Sequence, residues 1–430
     1  MKLLIKNGRV VDAANKIDDV LDILVEDSRI VRLGPGIEDK ADQVIDATAK
    51  IVMPGIVDMH VHLREPGRED KETVSSATRA ALKGGVTSVL AMPNTEPAID
   101  SLEQLKLLEG IINKTARANV YISGAITKGR LGQELVDIAG LTKAGALAFT
   151  DDGASVENAD LLLTALKQTK KNRVLLIEHC QDYRLSAGGV VNLGLVSTRL
   201  GLKGISAASE YSRVERDVRL AQQAEAALHI AHVSSKESVE IIARAKKQGV
   251  QITAEVTPHH LALSEEAVLE YDTNKKMSPP LGTTQDRQAL RDALKNGVID
   301  VIASDHAPHT ANEKAVEFER AEFGVIGLET ELAVVITELV HQKILNWTDL
   351  VRVLCFNPAR ILGINKGTLG VGSDADIIVV DPQQEWLVEK TALLSQSRNS
   401  AFLGRTLKGV VVFTVLAGKV VYQSGDKIRT

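Results

Sequence analysis

Residues 51–67 read IVMPGIVDMHVHLREPG, and the centre of that stretch is His60-Val61-His62. The run before it, with Ile56, Val57 and Met59, is apolar and lacks a helical period, which predicts a buried strand ending in the two histidines. Side chains alternate across a strand, so His60 and His62 share a face, roughly 7 Å apart along the backbone. Two imidazoles on one face can share a metal. A lone His-x-His is equally one core and one surface histidine, so the assignment turns on whether further ligands are present.

Working outward, the chain between residues 55 and 305 carries eight apolar runs: IVDMHVH, VTSVLAM, NVYISGA, ALAFT, RVLLIEH, LHIAHV, QITAEV and IDVIASD. Most are separated by stretches with apolar positions three and four residues apart, such as SLEQLKLLEGIINKTAR and SKESVEIIARAKKQG. Near-continuous apolar strands alternating with helices imply a parallel sheet covered on both faces, and eight such units suit a (β/α)8 TIM barrel. Two connections, 180–217 and 306–330, are long enough to build a binding site. Both chain ends differ from this middle. LLIKNGRVVD, DILVEDSRIVRLGPG and DQVIDATAKIV at one end, and ADIIVVD and LKGVVVFTVLAGKVVYQSG at the other, read as strands, with Asn7-Gly8 and Asp27-Ser28 as turn signals. The expected class is α/β: a barrel over 55–365 and a small β-sandwich domain assembled from 1–54 and 366–430.

Composition sets the outer limits. A hydrophobic content of 44% and a net charge of −5 describe a globular chain with no electrostatic pull on nucleic acid or an anionic membrane. An anionic substrate would therefore need dedicated basic groups. Only Cys180 and Cys355 are present, too few for a disulfide framework, and no apolar run is long enough to span a membrane. A cytoplasmic location is expected.

Metal-capable residues fall at the predicted strand ends. His60 and His62 close the first strand, Asp151-Asp152 follow the fourth, and His179, His232 and Asp305 close the fifth, sixth and eighth. In a barrel these ends converge on one mouth. Four imidazoles and two carboxylates exceed the needs of one tetrahedral zinc, so one or two ions are expected, with a binuclear centre favoured. Such a centre suits hydrolysis of a C–N or C–O bond, with Asp305 placed to carry the proton. Arg64 and Asn94, after strands one and two, could hold a carboxylate; a surface ion pair and a turn asparagine are the plain alternatives. His309 could touch substrate, His306, His259 and His260 read as supporting or turn residues, and His229 and His341 as surface or packing positions.

Taken together, PGIVDMHVHLREPG, AMPNTEPAID, AFTDDG, IEHC, AHVSS, EVTPHHL, SPPL, ASDHAPH and GLET resemble the amidohydrolase superfamily and, within it, the class I bacterial dihydroorotases. The resemblance implies reversible cyclisation of N-carbamoyl-L-aspartate to L-dihydroorotate in pyrimidine synthesis. It implies that His60, His62, Asp152 and Asp305 hold one zinc, that Asp152, His179 and His232 hold the other, and that Asp305 is the catalytic acid/base. It further implies substrate contacts from Arg64, Asn94, His309, Ser278, Phe323 and Gly324, with His62 also beside the substrate. A homodimer and association with aspartate carbamoyltransferase are implied as well. Allantoinases and dihydropyrimidinases are similar too, but they bridge their metals with a carboxylated lysine, where this chain has Thr150-Asp151-Asp152. A non-catalytic partner of aspartate carbamoyltransferase would have eroded ligands, and all six are present. One departure is Gly282, where many relatives carry an arginine; its loss is expected to remove a cation near the site.

Overall fold

The computed structural model describes residues 1–425. Eight parallel strands stand at the expected places: Ile56–Val61, Val86–Ala91, Asn119–Gly124, Ala146–Phe149, Leu175–Glu178, Leu228–Ile230, Ile252–Val256 and Val301–Ile302. They pair in chain order, and the ring closes where the His62 amide donates to the His306 carbonyl at 2.9 Å beside a Val61–His306 bridge. The two quoted helical stretches form helices Leu102–Thr115 and Lys236–Lys247, capped by the Ser101 and Ser235 side chains. Their buried positions, Leu105 and Leu108 in one and Ile241, Ile242 and Ala245 in the other, are the periodic apolar ones.

The first strand is not a plain alternation. Asp58 pairs with Val89 and Val61 with Ala91, three steps on one strand against two on its neighbour. The extra residue reverses the facing of everything after it. Val57 and Met59 pack in one cluster with Leu90, Ala148, Ile177 and Ala303, the lining of the barrel. The bulge places His60 and His62 on that same inner side.

The two chain ends build one eight-stranded sheet. Strands Lys2–Asp12, Ile17–Glu26, Arg29–Gly34, Gln43–Asp46 and Ile51–Pro54 join Ile377–Leu387, Thr406–Leu416 and Lys419–Gln423. Leu3, Ile5, Ile23, Ile377, Val379 and Val415 share its core. Asp27-Ser28 is a turn, as expected. Asn7-Gly8 is not: it is a bulge inside one long strand, with Asn7 at φ 60°, and the hairpin turns later, before Ile17. A left-handed residue serves either role, and cross-strand pairing decides between them. Gly8 is needed there because a Cβ would stand 2.4 Å from Val52 Cγ2. The segment between Leu387 and Thr406 leaves this sheet and lies on the barrel, where Leu393, Ala401 and Phe402 pack with Phe318, Val325 and Ile326.

Gly8→Ala is expected to cost about 1–3 kcal/mol by overpacking, read as a lower urea midpoint at unchanged slope.

Candidate active site

At the C-terminal mouth of the barrel opens a cavity of about 600 Å3, with His62, Asp152, His179, His232 and Asp305 on its floor and His60 fully buried beneath. Asp152 is at the centre. Its Oδ1 lies 3.3 Å from His60 Nε2, 3.6 Å from His232 Nε2 and 3.7 Å from His179 Nδ1, and its Oδ2 lies 3.5 Å from His62 Nε2. Asp305 Oδ1 is 3.0 Å from His62 Nε2 and 3.6 Å from His60 Nε2. All six expected ligands therefore converge. The donor atoms of His60, Asp152 and His232 form one compact set and those of His60, His62 and Asp305 another. Asp151 turns away, its carboxylate accepting from the Ile126 and Thr127 amides and the Thr127 hydroxyl.

The donor set fits a divalent cation. His60 Nδ1 donates to Glu255 at 2.5 Å, which turns Nε2 inward, and among the described residues neither that atom nor Asp152 Oδ1 has a hydrogen-bond partner. Two buried polar atoms left unpaired toward one point are what a metal would satisfy. His62 Nδ1 is likewise held by Asn94 Oδ1 at 2.8 Å and His179 Nε2 by Gln181 Oε1 at 2.8 Å, with His62 Nε2 turned to Asp305 and His179 Nδ1 lying 2.7 Å from His232 Nε2. Burial opposes ionisation of Asp305, yet the His60 and His62 imidazoles hold it down to about 2; Asp152 is likewise lowered, against burial, by His60 and His232. Burial and the adjacent His232 push His179 down to about 4, which keeps its ring neutral. Burial also disfavours charge on His60, but the Asp152 and Glu255 carboxylates outweigh it and raise its pKa. The cluster attracts positive charge. His232 and Asp305 take left-handed backbone, φ 29° and 46°, as does Arg64 at 63°, strain held by the surrounding packing.

The outer half of the cavity is cationic. Lys71 Nζ lies 3.3 Å from His309 Nδ1 and donates to it, so the proton of this neutral ring sits on Nε2. That nitrogen is 3.5 Å from Arg64 Nη2, and both side chains line the cavity. Burial, reinforced by Arg64 and Lys71, pushes His309 down to about 2, and burial lowers Arg64 to about 10. A carboxylate between them would accept from both. Asn94 commits its oxygen to His62, and its side chain lines the cavity. Ser278, Phe323 and Gly324 also line the cavity, with Gly324 beside His309. Gly324, at φ 133°, must be glycine, since a Cβ would stand 2.9 Å from His309 Nε2.

Sequence reasoning passed over Glu255, which bonds His60 on one oxygen and His229 Nε2 at 3.2 Å on the other. An acidic residue inside the apolar strand QITAEV was the available signal. His229 is therefore fully buried, a packing residue and not a surface one. Arg130, which donates to the Asp151 and Asp152 carbonyls, was also missed, in a loop with no marker. His306 and His260 are supporting residues as expected, the first accepting from the Gly327 and Leu328 amides and the second bonded to Thr257 and Pro279. Gly282 lines a small cavity with Glu210 that adjoins the active site at Ile205, and a Cβ there would meet Asp286 at 3.0 Å. Glu255→Gln is expected to weaken metal binding about 10–100-fold in competition with a chelator, because it loosens the grip on His60.

A profile described as "Dihydro-orotase-like" matches residues 49–238. A dihydroorotase of Elusimicrobium minutum is 51% identical over 99% of this chain and 98% of its own, and one of Pelotomaculum thermopropionicum is 49% identical over 98% and 99%. Among solved structures, an L-hydantoinase (dihydropyrimidinase) from Arthrobacter aurescens superposes with a TM-score of 0.89 at 26% identity, covering 99% of this chain and 96% of that one. With its barrel, its mouth of histidines and aspartates and near-full-length identity to these relatives, the chain belongs to the dihydroorotase family.

Proposed function

We propose that this chain is a zinc-dependent dihydroorotase that interconverts N-carbamoyl-L-aspartate and L-dihydroorotate in pyrimidine synthesis. The observation that carries the reading is the joining of two groups in one cavity: a floor of six metal-capable donors and, beside it, the basic Arg64 and His309 within 3.5 Å of each other on the lining. A cyclic ureide with one ring carboxylate matches both. His60, His62, Asp152, His179, His232 and Asp305 would hold one or two zinc ions, which would supply Lewis acidity toward the amide carbonyl and acidify water.

The chain does the remaining work. Arg64 and His309 hold the carboxylate that does not react, and Asn94 steadies His62. Asp305, ionised at neutral pH, takes the proton from the attacking water and delivers it to the departing ring nitrogen. In the cyclising direction the same carboxylate accepts the proton from the ureido nitrogen. Ser278, Phe323 and Gly324 close the wall over the ring. A hydantoinase-like preference is the second reading, favoured by the fold of the structural neighbours. Those substrates need no carboxylate holder, so Arg64 and His309 separate the two.

The family resemblance extends the proposal to a cytoplasmic homodimer that associates with aspartate carbamoyltransferase, and to a division into 1–54 and 366–430 as the β domain and 55–365 as the catalytic barrel. Within the described residues no helix is long and apolar enough to cross a membrane.

Chelator-treated protein is expected to lose turnover of dihydroorotate in the ultraviolet assay and to regain it with zinc; activity untouched by metal removal would overturn the mechanism. Asp305→Ala should lower kcat about 10²–10⁴-fold. Arg64→Met should raise KM for dihydroorotate about 10–100-fold, the worth of a charge-assisted contact, while leaving any turnover of an uncharged hydantoin unchanged.

A further inference from the structure

Lys276 and Lys314 are both buried, and among the described residues neither forms an ion pair. A buried ammonium normally has a carboxylate beside it. Here main-chain oxygens take that place. Lys276 Nζ donates to the carbonyls of Phe318 at 2.8 Å, Glu319 at 3.0 Å and Ala321 at 2.5 Å, and sits 4.4 Å from the centre of the Phe323 ring. Lys314 Nζ donates to the carbonyls of Glu322 at 2.7 Å, Gly324 at 3.0 Å and Lys276 at 3.4 Å. All three protons of each ammonium are used.

Five of these six carbonyls belong to residues 318–324, a stretch in the connection after the last barrel strand with no helix or strand of its own. This is the stretch that brings Phe323 and Gly324 to the cavity wall and sets Gly324 against His309. Without a ladder of its own, its backbone oxygens need partners, and the two ammonium groups supply them. Burial pulls Lys276 down to about 8 and, with the neighbouring Lys276 charge, Lys314 down to about 7. That cost is borne for a placement no surface lysine could give. The link from Lys314 to the Lys276 carbonyl ties the loop to the segment leading into Ser278, so both parts of the substrate-facing wall hang on one pair of side chains.

We propose that Lys276 and Lys314 are positioning residues for the substrate: a twin ammonium staple that fixes the 318–324 loop, and through it Phe323 and Gly324, in the conformation that closes the cavity. The inference rests on the functional reading above for what the loop contacts, but the staple itself is tested without turnover.

The experiment compares the holoenzyme with Lys314→Met and Lys276→Met, which keep the aliphatic stem and remove the donors. Amide hydrogen exchange of peptides spanning 318–324 is expected to speed about tenfold or more, with the barrel peptide 86–91 unchanged and bound metal retained. KM for dihydroorotate should rise about tenfold while kcat changes less, and Lys276→Gln, with two donors, should fall between. Unchanged exchange at 318–324, or a uniform increase across the barrel, would overturn the proposal, and so would faster loop exchange with an unaltered KM. Because each variant removes only one tripod, a failure of one to fold leaves the other to decide. Absence of dihydroorotate turnover in the wild type would instead refute the functional reading, with the exchange result still deciding the staple.

Discussion

Everything at the mouth of this barrel follows from burying the Asp152 carboxylate. Moving an ionised carboxylate out of water costs several kcal/mol even after relaxation, by order of magnitude, and the cost is tolerated only where opposite charge or donors surround it. Four imidazoles face Asp152 within 3.7 Å, each on a different strand end or a shared one. A set this concentrated has more acceptors than protons, and the unpaired Nε2 of His60 and Oδ1 of Asp152 mark the deficit. A cation resolves it. Stability and chemistry are therefore linked at this mouth, because an ion that satisfied the buried groups would also be placed to activate a substrate.

The supporting residues are arranged to leave lone pairs free. Glu255, Asn94 and Gln181 each occupy one nitrogen of a histidine, and the remaining nitrogen faces Asp152 or Asp305. On the substrate side Lys71 does the converse, occupying Nδ1 of His309 so that Nε2 becomes a donor. One end of the cavity thus offers electron pairs and the other offers protons, which is the polarity a substrate with a scissile carbonyl at one end and a carboxylate at the other requires.

The terminal sheet contributes more than a scaffold. Its excursion between Leu387 and Thr406 crosses to the barrel, where Asn399 accepts from the His309 amide and donates to the Ala307 and Gly324 carbonyls. Ser395 and Gln396 bind Glu72, whose carboxylate also faces His306 at 3.4 Å. Asn399, at sequence distances of 75 to 92 residues from these partners, carries no local marker; its role exists only because the sheet's long strands aim that excursion at the mouth.

The amino-acid sequence by itself determined the eight strands, their order and the six converging ligands, because each depends on short-range pattern: apolar runs, helical spacing and the residue closing each run. It marked Arg64 and His309 through their nearness to those strand ends. Tertiary structure alone decided which way residues face. The bulge that turns His60 and His62 inward exists only in the pairing with Val86–Ala91, and Asn7-Gly8 became a bulge and not a turn for the same reason. It also decided that Glu255, Arg130, Lys276 and Lys314 serve the site, since partners far apart in the chain meet only after the barrel has closed. Pattern along the chain specifies what a residue can do; the closed ring specifies what it meets.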